Sequence, residues 1–301
     1  MSTLTSPQPD AAVAPCGSGP PVIEVAGLSK RFGAILAVGG IDVVVRVGET
    51  IGLLGGNGAG KTTTIAMLLG LLVPTSGRIR ILGHDMARDR FSALARMNFS
   101  SPYVALPGRL SVVENLRVYG HLYGVKRIER RIEELAVQLD LGDLLRRPAG
   151  QLSAGQKTRV ALAKSLINRP DVLLLDEPTA SLDPDTGDLI RGWLERYRAE
   201  SGCTILLASH NMAEVERLCG QVLMMKQGRI VDRGTPAALL ERYHRDDLEE
   251  VFLDIARDRT ADPKGDDSAG SDSETGDPKA GDPKAGDPRA GGRPAGAEAM
   301  A

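Results

Sequence analysis

The sequence predicts an α/β fold, with an antiparallel, strand-rich N-terminal subdomain and an α-helical subdomain inserted into a parallel-sheet core. Three observations predict it. In the C-terminal half, apolar strand-like runs at 172–175 and 204–208 alternate with helical stretches at about 185–199 and 212–218, and strands alternating with helices imply a parallel sheet. A short apolar strand at 51–54 runs into a glycine-rich loop and then into a helix from about 61 to 69. Between these two parts, from about 88 to 164, amphipathic helical text dominates. It reads as an insertion between two halves of the sheet.

Taken in order, residues 1–20 are rich in Ser, Pro and Ala without periodicity and are expected to form a disordered leader. The folded domain is expected over 21–258. It opens with strands at 22–25 and 43–47, closed by turns such as Val47-Gly48-Glu49. In the helical insert, 128–139 carries apolar residues at Ile128, Ile132, Leu135, Val137 and Leu139, which fits an amphipathic helix. At the far end, Gly276-Asp277-Pro278-Lys279-Ala280 recurs at 281–285 and, with Arg for Lys, at 286–290. Pro, Gly and charge cannot bury a core, so 259–301 is expected to be a solvated tail.

Composition bounds the function. The chain has 301 residues, of which 42% are hydrophobic, and a net charge of −2. It can therefore bury a full core, and it lacks the basic footprint of a protein that coats nucleic acid. Cys16, Cys203 and Cys219 form no CxxC pair, so neither a zinc ribbon nor a redox pair is indicated. Cys203 begins a strand-like run and reads as a small buried hydrophobe. No apolar stretch reaches the roughly 18 residues needed to span a bilayer. Any membrane spans must come from another chain.

The chemistry is concentrated in two stretches. Gly55-Gly56-Asn57-Gly58-Ala59-Gly60-Lys61-Thr62 matches GxxxxGK[ST] without a gap, after a strand and before a helix. The glycines let backbone N–H groups approach phosphates, and the helix N-terminus adds its positive dipole end. Gly55, Asn57, Gly58, Ala59, Gly60, Lys61, Thr62 and the adjacent Thr63 are therefore the expected nucleotide contacts. Lys61 is expected on the β- and γ-phosphates and the Thr62 hydroxyl on Mg²⁺. In the second stretch, the apolar strand at 172–175 ends in Asp176-Glu177. Asp176 is expected to hold Mg²⁺ at the carboxyl edge of the sheet. Glu177 is expected to orient and deprotonate the attacking water.

With these in place, the chain resembles the ATP-binding cassette (ABC) family of P-loop NTPases over about residues 22–256. Leu152-Ser153-Ala154-Gly155-Gln156 is similar to the family signature LSGGQ, with Ala154 for one Gly, and it precedes a helix at about 156–166. Ser181-Leu182-Asp183 resembles the D-loop, His210 the switch histidine, and Phe32 the aromatic that stacks on adenine. The resemblance implies an ABC-type nucleotide-binding domain that binds ATP with Mg²⁺ and works as a head-to-tail dimer. Ser153 and Gly155 would then meet nucleotide across the dimer, Gln156 and Asp183 would add nucleotide contacts, and Glu177, His210 and Lys61 would carry hydrolysis. The implied partners are a second nucleotide-binding domain and an integral-membrane permease, at the cytoplasmic face of the membrane.

Two departures stand out. The family's loop glutamine after the strand that precedes the insert is absent from 97–103, where an ungapped match puts Pro102. Either a hydroxyl of Ser100 or Ser101 fills that place on the metal, or a water does. Gly56 stands where family members often carry Pro, with little effect expected. The text from Ser209 to Cys219, and Leu248-Glu249-Glu250-Val251-Phe252-Leu253 beyond it, resembles two-component exporters of drugs, polysaccharides and lipids, which implies export. The alternative is a single-cassette ATPase without a permease, as in cluster assembly. A third reading, an interaction module without turnover, is opposed by the intact Lys61, Asp176, Glu177 and His210.

Overall fold

The computed structural model describes residues 19–101, 105–180 and 182–257. The expected leader up to residue 18, the tail at 259–301, Cys16, Pro102 and Ser181 lie outside the described residues.

The chain opens with two long antiparallel strands, β1 (Pro21–Phe32) and β2 (Ile35–Arg46). They extend well past the 22–25 and 43–47 expected from the apolar pattern. Register irregularities at Val25/Leu28 and Lys30/Arg31 break the alternation in the sequence while the ladder continues through them. Next come β3 (Thr50–Leu54), α1 (Lys61–Leu68), β4 (Ser76–Ile81) and β5 (His84–Asp85). Strands β2-β1-β4-β5 form a four-stranded antiparallel sheet.

A short helix, α2 (Arg90–Leu94), leads to β6 (Met97–Ser100). This strand pairs in parallel with β7 (Val172–Asp176), so the stretch 88–164 contains one strand of the central sheet. Four residues of mixed polarity are too short to carry a strand signal of their own. The helices of the insert are α3 (Val112–Leu122), α4 (Ile128–Gln138) and α5 (Ala154–Leu166). A capping box on Ser111 and Glu114 starts α3. Beyond β7 lie α6 (Pro184–Ser201), β8 (Thr204–Ser209), α7 (Met212–Leu218), β9 (Gln221–Lys226), β10 (Arg229–Gly234), α8 (Pro236–Tyr243) and α9 (Leu248–Ala256).

The second sheet has the order β10-β9-β3-β8-β7-β6, parallel except for the edge hairpin of β9 and β10. Every residue of β3, β7 and β8 is buried, as expected for strands covered on both faces. Alternation sorts their side chains into two cores. Leu173, Leu175, Ile205 and Leu207 pack with the helices of the insert and α6. Val172, Leu174, Leu206 and Leu53 pack with the antiparallel sheet. Cys203 and Cys219 are free, buried thiols, and burial pushes Cys203 up to about 12.

Register decides where the chemistry goes. Leu54 stands opposite Ser209, and Asp176 opposite Ala208. The start of the glycine loop, the acid pair and His210 therefore leave the sheet together at its carboxyl edge.

Candidate nucleotide site

The glycine loop is held by its neighbours. Gly228 N, in the β9–β10 turn, donates to Ala59 O at 2.9 Å, and Gly39 N donates to Gly228 O at 2.8 Å. A Cβ on Gly55 would lie 2.5 Å from Met225 O, so only glycine lets the loop pass over β9. Gly60 precedes α1 at φ 106°, and a Cβ there would lie 2.7 Å from Ala37 O. Asn57 and Gly58 are exposed at the crest, and Ala59 and Gly60 are buried beneath it.

Lys61 begins α1 and is buried; its Nζ donates to Gly55 O at 2.5 Å and to Gly56 O at 3.4 Å. The loop carbonyls thus hold the ammonium under the loop. Thr62 is exposed and Thr63 half-buried, one and two residues into the helix.

Asp176 is 3% exposed. Burial pushes its carboxyl up, the adjacent Glu177 charge adds to this, and Lys61 draws it back. Glu177 takes a left-handed backbone conformation (φ 52°), which costs a non-glycine residue roughly 1 kcal/mol or more. The bend is pinned by Glu177 N donating to Ala208 O at 2.8 Å. It turns the Glu177 side chain toward β8, where Oε1 meets His210 Nδ1 at 2.7 Å. The imidazole is 66% exposed. With Nδ1–H donating to the carboxylate, Nε2 is left to face solvent or a ligand.

Ser153 is the N-cap of α5. Its Oγ accepts from Gln156 N at 3.3 Å, and Gln156 Oε1 accepts from Ser153 N at 3.0 Å. The helix starts at Ala154, two residues before the expected position, because this capping box closes on Ser153. A Cβ on Gly155 would lie 3.1 Å from Thr186 Cγ2. Thr186 in turn donates through N and Oγ1 to the Asp183 carboxylate at 2.9 and 2.8 Å, capping α6. These bonds hold Asp183 below the usual carboxylate range. The segments at 153–155 and 183–186 therefore adjoin within one chain. Phe32 is 48% exposed at the end of β1, with Lys30 Nζ 5.1 Å from its ring centroid. It sits on the hairpin whose Ala37 carbonyl crowds Gly60.

Three further residues lie outside the sequence motifs. Ser209 and Glu214 pack behind Glu177 and are taken up below. Lys164 is buried in α5 and donates to Phe99 O at 2.8 Å, with its ammonium 5.4 Å from the Tyr119 ring centroid. Burial pushes it down to about 8. A lysine inside an apolar helical run was the one available hint.

The ABC transporter family profile matches residues 38–180. Nod factor export ATP-binding protein I of Ralstonia nicotianae is 39% identical over 238 residues, covering 78% of this chain and 73% of that protein. The chain belongs to the ABC transporter family. ABC transporter ATP-binding protein NatA of Bacillus subtilis is 35% identical, covering 77% of this chain and 97% of its own. Among solved structures, an ATP-binding subunit of an ABC transporter superposes with a TM-score of 0.72 at 28% identity, over 78% of this chain and 99% of that one. The protein is thus an ABC ATPase that binds and hydrolyses ATP. No helix among the described residues is long and apolar enough to cross a membrane.

Proposed function

We propose that this ABC ATPase is the subunit that powers an exporter, working as a dimer on Mg-ATP and driving a separate permease at the cytoplasmic face of the membrane. The Glu177–His210 pair at 2.7 Å, beside buried Asp176 and Lys61, is the observation that carries the hydrolytic part. Lys61 neutralises the β- and γ-phosphates. Glu177 receives the proton of the attacking water. His210 orients Glu177 through Nδ1 and presents Nε2 to the γ-phosphate. Ser153, whose oxygen serves the α5 cap, keeps its hydroxyl proton for a γ-phosphate on a second copy.

The donor set fits Mg²⁺. A hydroxyl (Thr62) and a carboxylate (Asp176) are hard oxygen ligands, and Mg²⁺ commonly takes only one or two protein ligands beside phosphates and water. No cluster of three or more His, Cys, Asp or Glu suited to a metal occurs among the described residues. When bound, the ion would offset phosphate charge in the transition state. Ser101 follows the paired residues Ser100 and Leu175 and so stands level with Asp176, which supports a serine in place of the missing glutamine.

The export direction rests on relatives whose names state export. A cleft of about 580 Å³ between α5 and the end of β6, lined by Ser101, Leu106, Ala154, Ala161 and Pro178, supports docking of a membrane subunit. The test is to tag the protein, solubilise membranes gently and identify what co-purifies. A stoichiometric polytopic protein is expected; a clean pool without one would overturn the permease reading.

A further inference from the structure

Behind the Glu177–His210 pair lies a buried polar group that the hydrolytic reading leaves unused. Ser209 ends β8 and is fully buried, and Glu214, in the first turn of α7, is 1% exposed. Ser209 Oγ lies 2.7 Å from Glu214 Oε2 and 3.4 Å from Glu177 Oε2. It also accepts from Asn211 N at 3.0 Å. His210 N points at the same Glu177 Oε2, at 3.4 Å.

We propose that Glu214 and Ser209 are positioning residues for ATP hydrolysis, forming a Glu214–Ser209–Glu177 chain that aims one carboxylate oxygen of the base while His210 holds the other. The proposal rests on Glu177 being the base.

The argument is one of proton counting. A serine hydroxyl has one proton to donate and two lone pairs. One lone pair is taken by Asn211 N. If Ser209 gives its proton to Glu214, it has none left for Glu177 Oε2, and two carboxylates compete for one hydroxyl. If Glu214 is the neutral acid, it donates to the second lone pair, and Ser209 turns its proton to Glu177. The one proton and two lone pairs of the Ser209 hydroxyl are then each used once. The surroundings favour this second arrangement. Burial and the nearby Glu177 charge raise the Glu214 carboxyl, against opposing pulls from its hydrogen bonds to Ser209 and Thr179 and from Arg191. No proton leaves the chain in this role: Ser209 keeps its hydrogen, and only its direction is set. The two 3.4 Å contacts are long, so they aim the carboxylate and leave it able to receive a proton.

The test measures steady-state phosphate release, ATP affinity and melting temperature on the full-length protein, with whatever membrane subunit accompanies it. The variants are Ser209→Ala, Glu214→Leu, Glu214→Gln and, as control, Glu177→Gln. Ser209→Ala and Glu214→Leu are expected to lower kcat on the order of 10-fold or more with KM for ATP held. Glu214→Gln, whose amide still donates to Ser209, is expected to stay within about threefold of wild type, a rescue that a purely packing role would not separate from Glu214→Leu. Wild-type kcat in Ser209→Ala, or Glu214→Gln as impaired as Glu214→Leu, would overturn the chain while leaving Glu177 as base. Near-normal turnover in Glu177→Gln would overturn the base reading and this proposal with it.

Discussion

His210 Nδ1 and Glu177 Oε1 meet at 2.7 Å although 33 residues separate them. Their strands, β7 and β8, are parallel neighbours with Asp176 opposite Ala208. A left-handed bend at Glu177 then carries its carboxylate sideways onto the next strand's end. The pair exists only because sheet register and that one backbone angle agree.

Glu177→Gln should abolish turnover yet leave ATP binding and ATP-dependent dimers intact, because the amide keeps the shape and loses the basicity. His210→Ala should lower kcat by about 100-fold or more while changing ATP affinity little, since it removes an orienting contact. Single-turnover hydrolysis and size-exclusion chromatography with ATP check both. Near-normal hydrolysis by Glu177→Gln would remove it from the role of base.

The glycine loop should discriminate between neighbouring positions. At Gly60 an added Cβ meets Ala37 O at 2.7 Å and the backbone is left-handed. Gly60→Ala should therefore cost about 1–3 kcal/mol and abolish ATP binding. At Gly56 the nearest atom to an added Cβ is Phe252 Cζ at 3.7 Å, an ordinary contact. Gly56→Ala should bind ATP within a few-fold of wild type. Equal loss in both would mean that the sterics of Gly60 do not control the loop.

If the signature acts in trans, defects should complement. Lys61→Ala and Ser153→Arg should each be inactive alone. Mixed dimers concentrate both defects in one site and leave the other clean, so mixing should restore phosphate release. Ser153→Arg also loses the α5 cap, a cost of about 1 kcal/mol, so folding is verified by thermal melting. Absence of any recovery on mixing would place the signature's action within one chain.

Lys164 predicts a pH signature in stability. Its folded pKa is lowered from 10.5 to about 8 by burial. Between these values the unfolded chain holds the proton and the folded chain does not, so wild-type stability rises with pH across that window. Relative to Lys164→Met, which cannot titrate, wild type should gain about 3 kcal/mol between pH 8 and about 10.5. Urea unfolding of both proteins at the two ends of the window reads the difference. A pH-independent difference would show that Lys164 is not desolvated.

The motifs were legible where they are contiguous. The run from Gly55 to Thr62 and the strand ending in Asp176-Glu177 carry their motif and their context in one stretch each. That β3, β7 and β8 run parallel followed from buried apolar runs alternating with helices; their order across the sheet did not. The rest depends on juxtaposition. Ser209 reads as the end of a strand and Glu214 as an ordinary first-turn acid after an Asn cap. Only the packing of α7 on β8 puts both behind Glu177. Strand β6 was hidden by its four-residue length, and the outer halves of β1 and β2 by their irregular register.

Phe252 of α9 faces Gly56 of the glycine loop, where its Cζ would lie 3.7 Å from an added Cβ. Lys226 fastens the end of the same helix by donating to Ile255 O and Ala256 O at 2.8 and 3.1 Å. Arg257, the last described residue, follows Phe252 by about 8 Å of helix rise. A fluorophore attached there would sit one to two helical turns from the residue that faces the loop. The chain thus offers a natural handle for following nucleotide arrival and departure in real time, optically.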